Sequence, residues 1–396
     1  MITLRGRTWA SKRGHGGLAA SAAAYEQTHP NVRVEWEQLG FDELFYDSRR
    51  QFVSGSVDFD LMMLDHPWVG EYAVNGWLVD MDELLTSEQR RDLETDADRS
   101  SLKAYRYDGR LWSLPTDGAC QILALRPDLV GTAVDQLPGD WDSFLALGES
   151  LHEPPDRCAY THQFGGPNHF LTLLGIAAAL GDNPYTEPSR GLDRDAGARG
   201  LDILRRVWEL SIESQVESPD KLAHRTFPLM MAEDRAAMCP GVFAYITYYG
   251  GEGERQLGIA DMPVMPETGK RTSLLGGMGL AIASASPRRD AAWEYATFVM
   301  SREVQGGVFV ENGGQPGRVS ALTSGYANDA CAGFGPVLAA ALDDCYVRPT
   351  PPGWHRAERA GGDVVSRFLS GEVAAQETLA ELDRVIGAIL ESGTSV

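Results

Sequence analysis

Two carboxylates, a histidine and a cysteine stand at positions from which they could act on one small molecule. Asp65 and His66 directly follow an apolar run, and Asp117 lies just before another run, which contains Cys120. Paired carboxylates can serve as general acid and base, and a cysteine beside a base can serve as a nucleophile. The same groups also suit recognition, because carboxylates accept strong hydrogen bonds from hydroxyl groups.

A second set of residues suits binding only. Aromatic faces can pack on the apolar face of a sugar ring, glycine amides can face a ligand, and an arginine can bind a carboxylate or phosphate in a bidentate manner. This set is Trp9, Gln121, Tyr245 (with Tyr248 and Tyr249 as alternatives), Gly276, Gly277, Met278, Arg318 and Trp354. Each could instead serve the fold, as a core aromatic or a turn residue.

The elements that would position these residues follow from the hydrophobic pattern. Strands are predicted at residues 2–9, 32–37 and 59–64, and helices at residues 18–28 and 42–53. This β-α-β-α-β order is typical of a parallel sheet with crossover helices. Ligands of open α/β sheets bind outside the carboxyl ends of the strands, which selects the residues that follow each apolar run.

The remaining pattern continues the alternation of strands and helices. Further strands are predicted at residues 119–125, 236–239 and 274–283, and helices at residues 168–180, 196–213, 290–300 and, as a pair, within 363–391. Asp140 is a predicted N-cap, and Gly14 to Gly17 are predicted to form a turn.

Length and turn-rich segments predict two lobes. The chain has 396 residues, whereas single hydrophobic cores stop growing at about 250–300 residues. Turn-rich segments near 115–118, 269–277 and 312–318 predict crossings between the lobes, and several crossings would form a hinge. The predicted N-terminal lobe is 1–115 plus 277–317, and the predicted C-terminal lobe is 116–276 plus 318–396.

Charge and motif content exclude several classes of function. The formal net charge of -21 disfavours nucleic acid and anionic membranes as partners. No run approaches the about 20 apolar residues of a membrane span. The five irregularly spaced cysteines form no zinc motif, although a Cys331–Cys345 bridge stays open. No histidine pair has metal-ligand spacing and no nucleotide fingerprint occurs, so neither a metal nor a cofactor is expected.

Several segments, in order, resemble the extracellular solute-binding proteins of carbohydrate ABC transporters. They are residues 23–37, 58–65, 108–125, 276–305 and 314–320. The resemblance implies the type II periplasmic-binding fold: two α/β lobes, each a mostly parallel sheet flanked by helices, with a ligand cleft at the hinge. It also implies a monomer with a small sugar-like ligand and, if the protein is exported, ABC permease subunits as partners.

Two functions remain open on this basis. The favoured one is a solute-binding protein that closes on a small polar ligand, a carbohydrate, without breaking a bond. The alternative is a cytoplasmic hydrolase, transferase or lyase on the same scaffold, with Cys120 as nucleophile or Asp65, His66 and Asp117 as acid and base. Thiaminase I, an enzyme class that resembles this fold, uses a cleft cysteine near the same crossing.

The N-terminus bears on the choice between these functions. No export signal or lipidation cysteine precedes the first strand. If Met1 is the natural start, the expected location is cytoplasmic. If a signal has been removed, the expected location is extracellular or membrane-associated.

Overall fold

The strands and helices come from a computed structural model, which describes residues 1–162, 166–186, 190–215, 234–248, 257–330 and 333–393. The strands of these residues are β1 (Ile2–Trp9), β2 (Val32–Leu39), β3 (Leu61–Asp65), β4 (Arg106–Tyr107), β5 (Arg110–Leu111), β6 (Leu114–Asp117), β7 (Gln121–Leu125), β8 (Cys158–Tyr160), β9 (Ala236–Phe243), β10 (Gly258–Ala260) and β11 (Met278–Ile282). The first three confirm the predicted β-α-β-α-β start.

Helices flank these strands. They are α1 (Lys12–Thr28), α2 (Phe41–Ser54), α3 (Val69–Val74), α4 (Ser87–Asp96), α5 (Arg99–Ala104), α6 (Pro127–Val130), α7 (Trp141–Leu151), α8 (Asn168–Ala179), α9 (Arg194–Glu209), α10 (Arg289–Val299), α11 (Arg302–Val304), α12 (Val319–Leu322), α13 (Gly325–Ala330), α14 (Phe334–Asp344), α15 (Trp354–Leu369) and α16 (Ala375–Gly393). None of these helices combines the length and the hydrophobicity that crossing a membrane requires. Asp140 caps α7 as predicted, since its side chain accepts from the Ser143 amide.

The chain divides into two compact units. Unit 1 comprises Met1–Ala119, Tyr245–Gly250 and Gly276–Asp343, and unit 2 comprises Cys120–Ala244, Gly251–Leu275 and Asp344–Val396. Residues 318–343 therefore cluster with unit 1, whereas the sequence placed them in the C-terminal lobe. The same is true of residues 116–119, because β6 pairs with β11 in the sheet of unit 1.

The sheet of unit 1 has the strand order β2-β1-β3-β11-β6. β1 is parallel to β2 and β3, while β11 is antiparallel to β3 and to β6. Met278, at the start of β11, lies opposite both Asp65 and Asp117. The carboxyl ends of β1, β3 and β6 therefore share one edge of the sheet, where Trp9, Asp65 and Asp117 stand.

The sheet of unit 2 has the order β10-β7-β9-β8. β7 runs antiparallel to both β9 and β10, and β8 is parallel to β9. Its core packs Leu123, Phe144, Tyr160, Ile176 and Met238 together. β9 continues through Pro240 and Gly241 to Phe243, beyond the end that the sequence predicted.

The predicted turn at Gly14 to Gly17 is wrong. These residues lie inside α1, which Ser11 caps by accepting a hydrogen bond from the Gly14 amide at 2.8 Å. A Cβ atom at Gly14 would overlap the Trp9 indole. Glycine here permits close packing of the helix on β1 and does not break it.

Candidate functional site

Arg13, in the first turn of α1, is the centre of a cluster in unit 1. Its guanidinium carbon lies 4.6 Å from the centroid of the Trp9 ring and 3.4 Å from that of the Tyr245 ring. A guanidinium within about 6 Å of a ring face is attracted by the ring quadrupole. One buried cation thus joins the end of β1 to Tyr245, which also belongs to unit 1.

Asp117 holds the same guanidinium by its edge. The Arg13 Nη2 atom donates to Oδ1 at 2.7 Å and lies 2.6 Å from Oδ2. Burial raises the pKa of Asp117 to about 6, an effect that Arg13 opposes and that the nearby Asp65 carboxylate adds to. Asp117 is therefore mostly ionised at neutral pH and takes up a proton around pH 6, while Arg13 stays charged.

Asp65 and His66 lie beside this pair. Asp65 ends β3, and its Oδ1 is 3.5 Å from Nδ1 of His66, whose ring is fully buried edge-on against Tyr105. Trp9 keeps part of its surface exposed and meets Phe41 in an edge-to-face contact with 5.9 Å between the ring centroids. A partly exposed aromatic ring and two buried carboxylates thus lie at one edge of the sheet.

Residues 276–278 hold the neighbouring backbone. The Gly276 amide donates to the Ala119 carbonyl at 2.8 Å, so that it serves the fold and not a ligand. Gly277 has a φ of 86°, in the region that glycine favours, and Met278 is buried between the two acidic strand ends.

Gln315 connects two further backbone segments of the site. Its Nε2 atom donates to the Gly118 carbonyl at 2.9 Å, and its Oε1 atom accepts from the Ile246 amide at 2.9 Å. Gln315 is fully buried. It therefore fixes the backbone beside Tyr245 to the backbone beside Asp117.

Three predicted site residues belong to unit 2. Cys120 is fully buried, and its carbonyl accepts from the Ala244 amide at 3.0 Å. Gln121 is also buried, with Nε2 donating to Oγ1 of Thr172 at 3.1 Å. The Trp354 ring is fully buried, and its Nε1 donates to Glu358 at 2.7 Å.

Comparison with known proteins identifies the family. The model of the bacterial extracellular solute-binding protein family matches residues 11–306, which is most of the chain. The chain belongs to this family. A probable amino-acid ABC transporter periplasmic-binding protein of Sinorhizobium fredii is 24% identical over 328 residues, 77% of this chain and 72% of that protein.

Solved structures agree on the fold. An ABC transporter solute-binding protein from Agrobacterium radiobacter K84, in complex with ribitol, has a TM-score of 0.81 at 19% identity and covers 98% of each chain. The maltose-bound T. maritima MalE3 has a TM-score of 0.80 at 18% identity and covers 98% of this chain and 100% of that one. The solute-binding protein therefore has the type II periplasmic-binding fold.

The structure of this solute-binding protein brings together Trp9, Asp65, His66, Asp117, Tyr245 and the 276–278 segment in unit 1. Arg13 and Gln315 belong to the same cluster, but the sequence analysis missed them. The only available signal was the position of Arg13, four residues after Trp9, and the supposed glycine turn obscured it. Tyr249 and Cys331 lie outside the described residues.

Arg318 stands elsewhere in the solute-binding protein. It is buried, its Nε atom donates to the Met300 carbonyl at 2.7 Å, and its Nη2 atom lies 2.7 Å from Asp92 Oδ2. Nη1 lies 3.5 Å from Asp96 Oδ2. Through these bonds Arg318 joins α4 to the segment before α12. Arg318 therefore does not lie in the cluster around Arg13.

Trp354 likewise packs in the core of unit 2. Replacing Trp354 tests this core assignment. Trp354→Ala should destabilise unit 2 by about 3–5 kcal/mol, because it leaves a cavity and removes a hydrogen bond from buried Glu358. Tyr46→Ala, at a side chain that is 48% exposed, should change stability by less than about 0.5 kcal/mol. Urea unfolding followed by circular dichroism measures both, and equal effects would contradict the core assignment.

Proposed function

We propose that this solute-binding protein binds a carbohydrate or polyol at the cluster around Arg13. The observation that carries the proposal is the edge shared by three strand ends, which presents the partly exposed Trp9 ring beside the Asp65 and Asp117 carboxylates. An aromatic face with a few orienting acceptors suits a polyhydroxylated ligand. The ribitol and maltose complexes of the structural relatives support the ligand class.

We further propose that the protein acts as a monomeric receptor outside the cytoplasm and delivers its ligand to ABC permease subunits. Family membership and the ABC transporter description of the Sinorhizobium relative support this role. A ligand cleft at a hinge between lobes stays a prediction. Cys120 gives the enzyme alternative no support, because it is fully buried beside β7.

Binding to a defined panel tests the ligand class. Ribitol, maltose, mannitol and a set of amino acids are each titrated into the protein by calorimetry, with tryptophan fluorescence as a second signal. At least one sugar or polyol should bind, and none of the amino acids should. Binding of amino acids alone would replace the proposal with an amino-acid receptor, and no binding by any panel member would contradict it.

Variants then locate the site. Trp9→Ala and Asp65→Asn should each weaken binding of the positive panel member about tenfold or more, since each removes a ring face or a charged acceptor. Trp112→Ala is the matched control, because Trp112 is a partly buried tryptophan of unit 1 whose Nε1 donates to the Tyr107 carbonyl at 3.0 Å. Equal losses in Trp9→Ala and Trp112→Ala would show that the ligand lies elsewhere.

A further inference from the structure

A closed series of contacts surrounds Tyr245. The Tyr245 ring packs on the Arg13 guanidinium, and Arg13 pairs with Asp117. The next residue along the chain, Gly118, accepts a hydrogen bond from Gln315, and Gln315 accepts one from Ile246, the neighbour of Tyr245. The series therefore returns to its start, and every member belongs to unit 1.

The two halves of this series differ in kind. The Gln315 half binds backbone groups and fixes where the chain runs at Gly118 and Ile246. The Arg13 half is made by side chains and fixes how the Tyr245 ring is turned. At 3.4 Å from the ring centroid, the guanidinium carbon is in van der Waals contact with the ring. The ring orientation thus depends on where Arg13 is held.

We infer that Arg13 is a positioning residue for ligand recognition, which sets the orientation of the Tyr245 ring and is itself held in place by Asp117. The part of this inference that concerns ligand rests on the function proposed above. The contact between Arg13 and Tyr245 does not, so the two parts can fail separately.

The charge on Asp117 controls how firmly Arg13 is held. Arg13 faces this carboxylate from α1, and Asp65 faces it from β3. The charge of Asp117 in turn raises the pKa of Asp98, the residue before α5. Protonation of Asp117 near pH 6 weakens the ion pair. The Tyr245 ring should respond to that titration through Arg13.

Fluorine NMR tests the contact without any ligand. The full chain is labelled with 3-fluorotyrosine, and the Tyr245 signal is assigned by its loss in Tyr245→Phe. In the unsubstituted protein this signal should titrate with a midpoint near pH 6. Asp117→Asn should abolish the titration. Arg13→Met should shift the signal to the value that the double variant Arg13→Met/Asp117→Asn also shows.

Two variants serve as controls for the contact between Arg13 and Tyr245. Arg302→Met removes an arginine of unit 1 that pairs with Asp92 and Asp96, and it should leave the Tyr245 signal unmoved. Arg13→Lys keeps the charge and loses the planar stack, so it should restore part of the titration but not the signal position. The titration in the unsubstituted protein needs only the assignment by Tyr245→Phe, so it can be measured even if the Arg13 or Asp117 variants unfold.

The outcomes are distinct. A Tyr245 signal that neither titrates near pH 6 nor moves in folded Arg13→Met protein overturns the positioning role. If the signal behaves as expected, Arg13→Met should weaken the binding of the sugar or polyol that binds the unsubstituted protein, by about tenfold. Arg13→Lys should recover part of this affinity. Unchanged affinity in Arg13→Met would overturn the link to recognition while leaving the contact in place.

Discussion

Gly277→Ala is expected to destabilise unit 1 by about 3 kcal/mol or more and to abolish binding of the sugar or polyol ligand. Two effects add. The φ of 86° is strained for any residue with a Cβ. That Cβ would also overlap the Asp117 carbonyl oxygen and come within 3.2 Å of the Ala119 amide nitrogen. Both neighbours are backbone, so they cannot yield as a flexible side chain would.

Displacement of the backbone at Asp117 and Gly118 should also affect ligand binding. Asp117 holds Arg13, and the carbonyl of the next residue is fixed by Gln315. A shift of a few tenths of an ångström there moves the carboxylate relative to the guanidinium. Loss of binding should therefore accompany the loss of stability.

Gly109→Ala is the matched control in the same unit. Gly109 has a φ of 75°, and no other part of the described chain lies within 4 Å of the position that its Cβ would take. The variant therefore isolates the conformational cost of about 1 kcal/mol. Urea unfolding and calorimetric titration on both variants measure the difference. Equal, small losses in the two proteins would show that the backbone beside Asp117 accommodates the methyl group.

Part of this site could be predicted because the hydrophobic pattern of a few consecutive residues shows where a strand ends. The apolar run of β3 and the alternation of β1 are visible within a few residues, and parallel strands bring their carboxyl ends to one edge. Trp9 and Asp65 were therefore predictable as neighbours. Asp117 was predictable only as a residue of a crossing, since its place opposite Met278 depends on the pairing of β6 with β11.

The sequence failed where the answer depends on distant partners. Gly14 to Gly17 have a strong local preference for turns, but their packing against Trp9 is tertiary. That error concealed Arg13. Arg318 was misplaced for a similar reason, because nothing local indicates that its partner Asp92 lies 226 positions away.

Asp98→Asn is expected to stabilise the protein at pH 7 and to leave it unchanged below about pH 4. Asp98 is buried before α5, where Oδ1 accepts from the Ser101 amide at 2.7 Å. Burial raises the pKa of Asp98 from 3.8 to about 6, and the charges of Asp117 and Asp343 add to the rise while hydrogen bonds from Ser101 oppose it. The folded state therefore binds this proton more tightly than the unfolded chain.

The sign of the pH effect follows from that difference. Between pH 3.8 and about 6 the unfolded chain releases the proton first, so stability falls as pH rises and stays low above pH 6. The full shift corresponds to about 3 kcal/mol, which is an upper bound because Asp98 titrates together with Asp117. Asparagine keeps the cap and carries no charge, so the variant should lose this slope.

Asp140→Asn is the matched control, because Asp140 is a second helix-capping aspartate whose pKa is shifted in the opposite direction. Asp140 also caps a helix, but it is only partly buried, and hydrogen bonds from Ser143 lower its pKa. Its replacement should therefore not stabilise the protein at pH 7. Urea unfolding from pH 4 to pH 7 compares the two variants with the unsubstituted protein. If Asp98→Asn gained no stability at pH 7, the charge of Asp98 would be better compensated in the folded protein than its burial indicates.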